Sequence, residues 1–261
     1  MDIRKLEIRD TSNGMLCDGV VLTNIESFDH LLRAYDQFAK DYPLATVLLS
    51  LDDLGQSQYT SGHATSMHDL DNVEGHDLAG LDASTFENGE HIGYLTTQSE
   101  FFIRERNFGS RAQAVTFEDA CLRGLDLTDE ELTLLEQIHD QPELILDTEV
   151  LAWIVPVQNS PMALCASPNG YFSSDLDPFE NFALATRLHE RYKYVLLGIG
   201  ASCIAFRQTQ PMDENTTQAL ARDVARLYRC LDDQEKVTRL SNIVRSKDFL
   251  ILKYTENLDV I

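Results

Sequence analysis

Four of the seven histidines of this chain, His63, His68, His76 and His91, fall between positions 63 and 91, interleaved with Asp69, Asp71, Asp77 and Asp82. Imidazole nitrogen and carboxylate oxygen are the usual protein ligands of zinc, manganese or iron where thiolates are absent. A site drawn from His63, His68, Asp71, His76 and His91 would hold a divalent metal, the one cofactor the composition suggests. It would leave room for an activated water, and the matching activity is a metal-dependent hydrolase. The spacing is not that of a helical metal site. His63 and His68 do not share a helix face, and no His-Glu-x-x-His run occurs. Asp69-Leu70-Asp71 starts like a calcium loop, but Val73 and Glu74 stand where an oxygen ligand and glycine belong, and Gly80 replaces the closing glutamate. The competing reading is a polar surface loop that carries imidazoles.

Charge supplies the second line of inference. The chain has 43 acidic and 21 basic residues, a formal net charge of −22. Such a surface repels nucleic acid and anionic lipid and attracts basic proteins. The one local basic group, Arg104, Arg106 and Arg111, has Glu105 among it and is too small to neutralise many phosphates. Neither nucleic acid nor membrane is an expected partner. The leading expectation is a non-catalytic acidic binding protein whose charge steers a basic protein partner, as an immunity or antitoxin-type inhibitor would. Candidate partner-binding residues are Asp69 and Asp77 in the acidic stretch, and Tyr171, Phe172 and Asp175 between a turn and a helix start. Aromatic rings beside acids are the chemistry of interface anchors, although the same pair also suits a hydrophobic staple at the helix entry.

Other chemistry finds little footing. Gly198-Ile199-Gly200-Ala201 lacks the third glycine and the following helix of a dinucleotide-binding turn, and reads better as a bulge or bend in a buried strand. No G-x-S-x-G elbow occurs. Cys121 and Cys165 are the cysteines available for a Cys–His pair, but both sit among apolar neighbours. Asp52-Asp53, Glu130-Glu131 and Asp232-Asp233 are adjacent pairs, which do not share a helical face. The five cysteines are dispersed and form no C-x-x-C pair. With no apolar leader after Met1 and no apolar run near the ~18 residues of a membrane span, the expected compartment is the reducing cytoplasm.

The elements that must position these groups read as α+β, with antiparallel or mixed sheets packed against amphipathic helices. Residues 2–9 and 15–22 read as strands about Asn13-Gly14. Ser27 opens a helix striped by Phe28, Leu31, Leu32 and Tyr35, and Pro43 stops it. Residues 45–51 suit a buried strand. Residues 52–90 show no period and read as a long acidic, His-rich loop, followed by short strands at 92–95 and 101–103. Thr116 and Thr128 cap helices, the latter through a Thr-x-x-Glu box. Strands are expected at 150–157, 162–166, 194–206 and 249–254, with helices opened by Asp177-Pro178 and by Asp213 or Asn215. The chain divides into halves 1–125 and 126–261, or forms one continuous domain.

Overall fold

The structure, a computed structural model, describes residues 1–11 and 14–258. Along the chain come β1 (Asp2–Lys5), β2 (Asp18–Thr23), α1 (Phe28–Asp41), β3 (Thr46–Ser50), α2 (Leu54–Met67), β4 (Phe86–Glu87), β5 (Glu90–His91), α3 (Phe101–Ala112) and α4 (Phe117–Arg123). Then follow α5 (Asp129–Asp140), β6 (Glu149–Val155), α6 (Pro178–Tyr192), β7 (Tyr194–Ile199), β8 (Cys203–Gln208), α7 (Glu214–Leu227), α8 (Gln234–Ser246) and β9 (Phe249–Lys253). The fold is α+β. Seven strands form one mixed sheet in the order β1-β2-β6-β3-β7-β8-β9, and β4 and β5 form a small hairpin of their own.

Residue 125 therefore does not separate two sheets. β6, from the second half, lies between β2 and β3 of the first, and β7 pairs with β3. The β3–β7 pairing is parallel, whereas the other strand pairs of the main sheet are antiparallel. Ser50 stands opposite Ile199, so both strands release their chains at the same end of the sheet. That end is where a site can be assembled from distant segments.

Local rules account for much of this. Ser27 accepts from the His30 N–H at 3.2 Å, and Phe28, Leu31, Leu32 and Tyr35 are buried as their spacing predicts. Tyr35 then donates to the Leu196 carbonyl at 3.0 Å, fastening α1 to β7. Capping boxes at Thr116, Thr128 and Asp177 start α4, α5 and α6. The turn expected at Asn13-Gly14 includes Asn13, outside the described residues, but β1 and β2 do pair antiparallel.

Several expectations are corrected. The stretch 52–90 is not a single loop, because α2 occupies its first third. This helix has no apolar stripe since its buried face is Ser57, Thr60, Ser61, Ala64 and Thr65. Hydrogen bonds replace the missing hydrophobic contacts: Thr60 donates to Asn169 Oδ1 at 2.6 Å, and Asn169 Nδ2 donates to Ser57 at 3.1 Å. Residues 101–103 begin α3, announced by a Thr97-x-x-Glu100 capping box rather than by periodicity. Residues 162–166 lie in a 3₁₀ turn started by Ser160-Pro161, since proline has no N–H to give a strand ladder. The run 194–206 is two strands, with Gly200-Ala201-Ser202 turning between them. Gly198 marks the anticipated bulge, where the β7–β8 register shifts. Helix α8, capped by Asp233, was not anticipated.

Two devices finish the far edge of the sheet. His139 of α5 presses against β9, its Nδ1 donating to the Leu135 carbonyl at 2.7 Å and its Nε2 accepting the Ile251 N–H at 3.1 Å. Burial drives the imidazole pKa down to about 4, so the ring is neutral. Lys253, fully buried, donates to Glu131 Oε1 at 2.5 Å and to the Glu256 carbonyl at 3.0 Å. This pair fixes the chain that leaves β9.

Candidate functional site

The histidines of residues 63–91 are held apart. His63, on α2, packs its ring 4.3 Å from that of Tyr59 and 5.0 Å from that of Tyr171. His68 stands edge-on to Phe179 at 4.9 Å, and burial lowers its pKa. His76 meets Asn107 Oδ1 at 2.8 Å. His91 Nδ1 accepts from the Gly93 N–H at 3.0 Å, so its Nε2 carries the proton shared with Glu100 Oε1 at 2.8 Å. Asp71 is the bidentate partner of buried Arg104, at 2.6 Å for both contacts. Among the described residues no group of three or more His, Cys, Asp or Glu is arranged to hold a metal ion. The ligand set His63, His68, Asp71, His76 and His91 is thus not brought together: His63 and His68 pack on aromatic rings, and Asp71, His76 and His91 bond to Arg104, Asn107 and Glu100.

Glu100 shows how complete that internal pairing is. Burial alone would raise its carboxyl, but the Thr96 N–H, His91, the Thr97 N–H and the Thr97 hydroxyl together hold it below the usual glutamate range. Cys165 and Cys121 are similarly unsuited to catalysis. Burial raises both thiols, that of Cys121 to about 11, so neither supplies a thiolate at neutral pH.

A different constellation forms where β3 and β7 end. A cleft of about 610 Å³ opens there between the start of α2, the segment 172–175, the β7–β8 turn and residues 255–257 after β9. Its carboxylates are Asp53, Asp175 and Glu256. Crevices outside the carboxyl ends of parallel strands are common ligand sites, because the two chains diverge there and leave a gap.

Buried Asp52 braces the β7–β8 turn that lines the cleft. Its carboxylate accepts the Ser202 N–H and hydroxyl, each at 2.7 Å, and the Cys203 N–H at 3.1 Å. Its carbonyl accepts the Ala201 N–H at 2.9 Å. Burial pushes the Asp52 carboxyl above the ordinary aspartate value, against those three donors. Gly200 is required beside it, since a Cβ there would lie 2.1 Å from Asp52 Oδ1 and 2.5 Å from its nitrogen. Tyr254 closes the assembly by donating to the Gly200 and Ala201 carbonyls at 2.7 and 2.9 Å.

The next residue, Asp53, takes a left-handed conformation, φ 40° and ψ 76°, and its Oδ1 caps α2 by accepting the Gln56 N–H at 3.0 Å. Asp tolerates this region better than most residues because its side chain bonds locally. Asp175 forms the opposite wall. Its Oδ1 accepts the Glu256 N–H at 3.0 Å, which ties the 171–175 segment to the chain leaving β9. Burial raises its carboxyl above the usual aspartate range; Arg123 lowers it by a smaller amount. Arg123 itself is engaged with Glu180 and the Ser173 carbonyl. Among the described residues, Asp53, Asp175 and Glu256 take part in no ion pair.

Beside the cleft runs a row of rings. Tyr59, His63, Tyr171 and Phe172 follow one another at centroid distances of 4.3, 5.0 and 5.3 Å. Tyr59 is 56% exposed and Phe172 47%, so neither is a core anchor. Phe172 belongs to both the row and the cleft. Of the candidate partner-binding residues, Tyr171, Phe172 and Asp175 are therefore placed together. Asp69 and Asp77 lie on the turns after α2 and do not line the cleft. His63 joins the row as a ring. Asp53 and Glu256 were missed, being more than two hundred positions apart in the chain; the signal available was Asp52-Asp53 at the end of an apolar strand and directly before a helix.

Comparison of the chain with family models, curated proteins and solved structures finds no match. No helix among the described residues is long and apolar enough to cross a membrane.

Proposed function

We propose that this is a non-catalytic acidic binding protein that seats a basic protein partner on the cleft and on the ring row beside it, in the manner of an immunity or antitoxin-type inhibitor occluding a basic enzyme. The observation that carries the reading is a set of carboxylates, from three separate segments, that line one cleft with no ion pair of their own among the described residues. Charge in that state gains on meeting a cation, and the overall −22 would speed the encounter more than it tightens the final contact. The exposed rings of Tyr59 and Phe172 supply the apolar part such an interface needs. All five cysteines are free thiols, which suits the reducing cytoplasm as the proposed compartment.

The test is affinity capture from the protein's own cell extract, with wild type and the Phe172→Ala and Asp53→Asn/Asp175→Asn variants side by side. One dominant basic protein is expected, released as salt is raised and captured poorly by both variants. Purified partner should then bind with a rate that falls steeply with ionic strength. Capture that both variants leave unchanged, or that is indifferent to salt, would sink the assignment to this face.

A further inference from the structure

We propose that the cleft receives a single arginine side chain of the basic partner, its guanidinium set between Asp53 and Asp175 and its stem lying along Phe172. The inference rests on the basic-partner reading above and names the group that reading leaves open.

Three features narrow the occupant. First, Asp53 and Asp175 each commit one oxygen, to the Gln56 and Glu256 N–H groups, and their second oxygens have no hydrogen bond among the described residues. Asp175 is only 5% exposed, so its open oxygen is a nearly dry acceptor in the cleft wall. A carboxylate in that position is costly until a charged donor reaches it. Second, the acids come from three chain segments and, among the described residues, do not form a metal-binding group. That arrangement does not suit a compact metal ion, and it leaves a planar cation with several donors as the occupant we infer.

Third, the cleft adjoins an exposed ring. A guanidinium carries five N–H donors in a fixed plane, is less strongly hydrated than an ammonium, and stacks on aromatic faces. A lysine would bring three donors on one point and would lose more hydration on entry. Phe172 at the rim gives the methylene stem of arginine an apolar surface. The exposed hydroxyl-bearing residues Ser173 and Ser174 line the same wall and can accept the outer N–H groups.

The experiment titrates the isotope-labelled full chain with N-acetyl-arginine amide, N-acetyl-lysine amide and the uncharged isostere N-acetyl-citrulline amide, followed by NMR. The arginine probe is expected to shift the backbone amides of Ser173, Ser174, Ser202 and Glu256 saturably. It should bind about tenfold more tightly than the citrulline probe and several-fold more tightly than the lysine probe. Asp53→Asn and Asp175→Asn keep the acceptors for Gln56 and Glu256, so each variant should stay folded yet bind the arginine probe about tenfold more weakly. Equal binding of citrulline and arginine, preference for lysine, or shifts confined to other surfaces would overturn the proposal. If the arginine probe fails while a basic partner still shows salt-sensitive capture that depends on the cleft, the receptacle is wrong and the partner reading stands. If that capture fails as well, both fall.

Discussion

Residues 63–91 and the cleft at the ends of β3 and β7 use charge in opposite ways. In the first region four of the His and Asp side chains are matched within the chain: Asp71 to Arg104, His91 to Glu100, His76 to Asn107, and Asp82 to the Ser84 N–H. In the second, carboxylates from distant segments line one cleft and, among the described residues, form no ion pair. A dense set of reactive residue types along a sequence can thus be a structural fabric, while sparse residues from distant segments can gather carboxylates at one cleft.

The contrast can be broken at its base. Gly200→Ala forces a Cβ into Asp52 at 2.1 Å. It should cost about 3 kcal/mol or more by overpacking and by loss of the Asp52–Ser202 bonds, read as a lower urea midpoint. Asp71→Ala is expected to cost about 3 kcal/mol, because Arg104 would remain buried without its counter-ion. Asp175→Asn should have the opposite sign. It removes an unpaired buried charge and keeps the Glu256 contact, so the thermal midpoint at neutral pH should rise, by about 0.5 kcal/mol in stability. A clear loss instead would make Asp175 a structural group like Asp71 and erase the distinction between the two regions.

Acid titration sharpens the same comparison with smaller effects. The Glu100 carboxyl sits below its ordinary value of 4.5 in the folded chain, so the unfolded chain takes up the proton first. Its contribution is present above that value and is lost as pH falls through the folded one. The Asp175 carboxyl sits above its ordinary 3.8, so the folded chain takes up the proton first. Its contribution is complete at low pH and is lost as pH rises through the raised value. Glu100→Gln should therefore flatten the acid-side decline in stability, and Asp175→Asn should steepen it. Denaturant midpoints measured between about pH 3 and 6 decide this, and slopes that change in the same direction would contradict it.

The sequence was most informative where structure is local. Ser27, Thr116, Thr128 and Asp177 announce helices because a cap and its N–H lie three residues apart, and the Phe28–Tyr35 stripe needs only one helix face. Helix α2 was hidden because Ser57 and Thr60 depend on Asn169, more than a hundred residues away. The cleft was half legible. Tyr171, Phe172 and Asp175 share one short segment, but Asp53 and Glu256 reach them through long-range contacts: the parallel register of β3 with β7, the Lys253–Glu131 pair and the Glu256–Asp175 bond. Residues 63–91 misled for the converse reason: nearness in sequence put imidazoles close along the chain, but each ring packs on or bonds to a different group, Tyr59 and Tyr171, Phe179, Asn107 and Glu100.

The imidazole of His139 has one more effect. By occupying the Ile251 N–H it takes a hydrogen-bonding slot that an incoming strand would need on the outer side of β9. At the opposite margin β1 carries Asp2, Arg4 and Lys5, charges that discourage strand addition. Lateral growth of the sheet, the simplest route by which copies of such a chain could polymerise, is thereby obstructed at both ends.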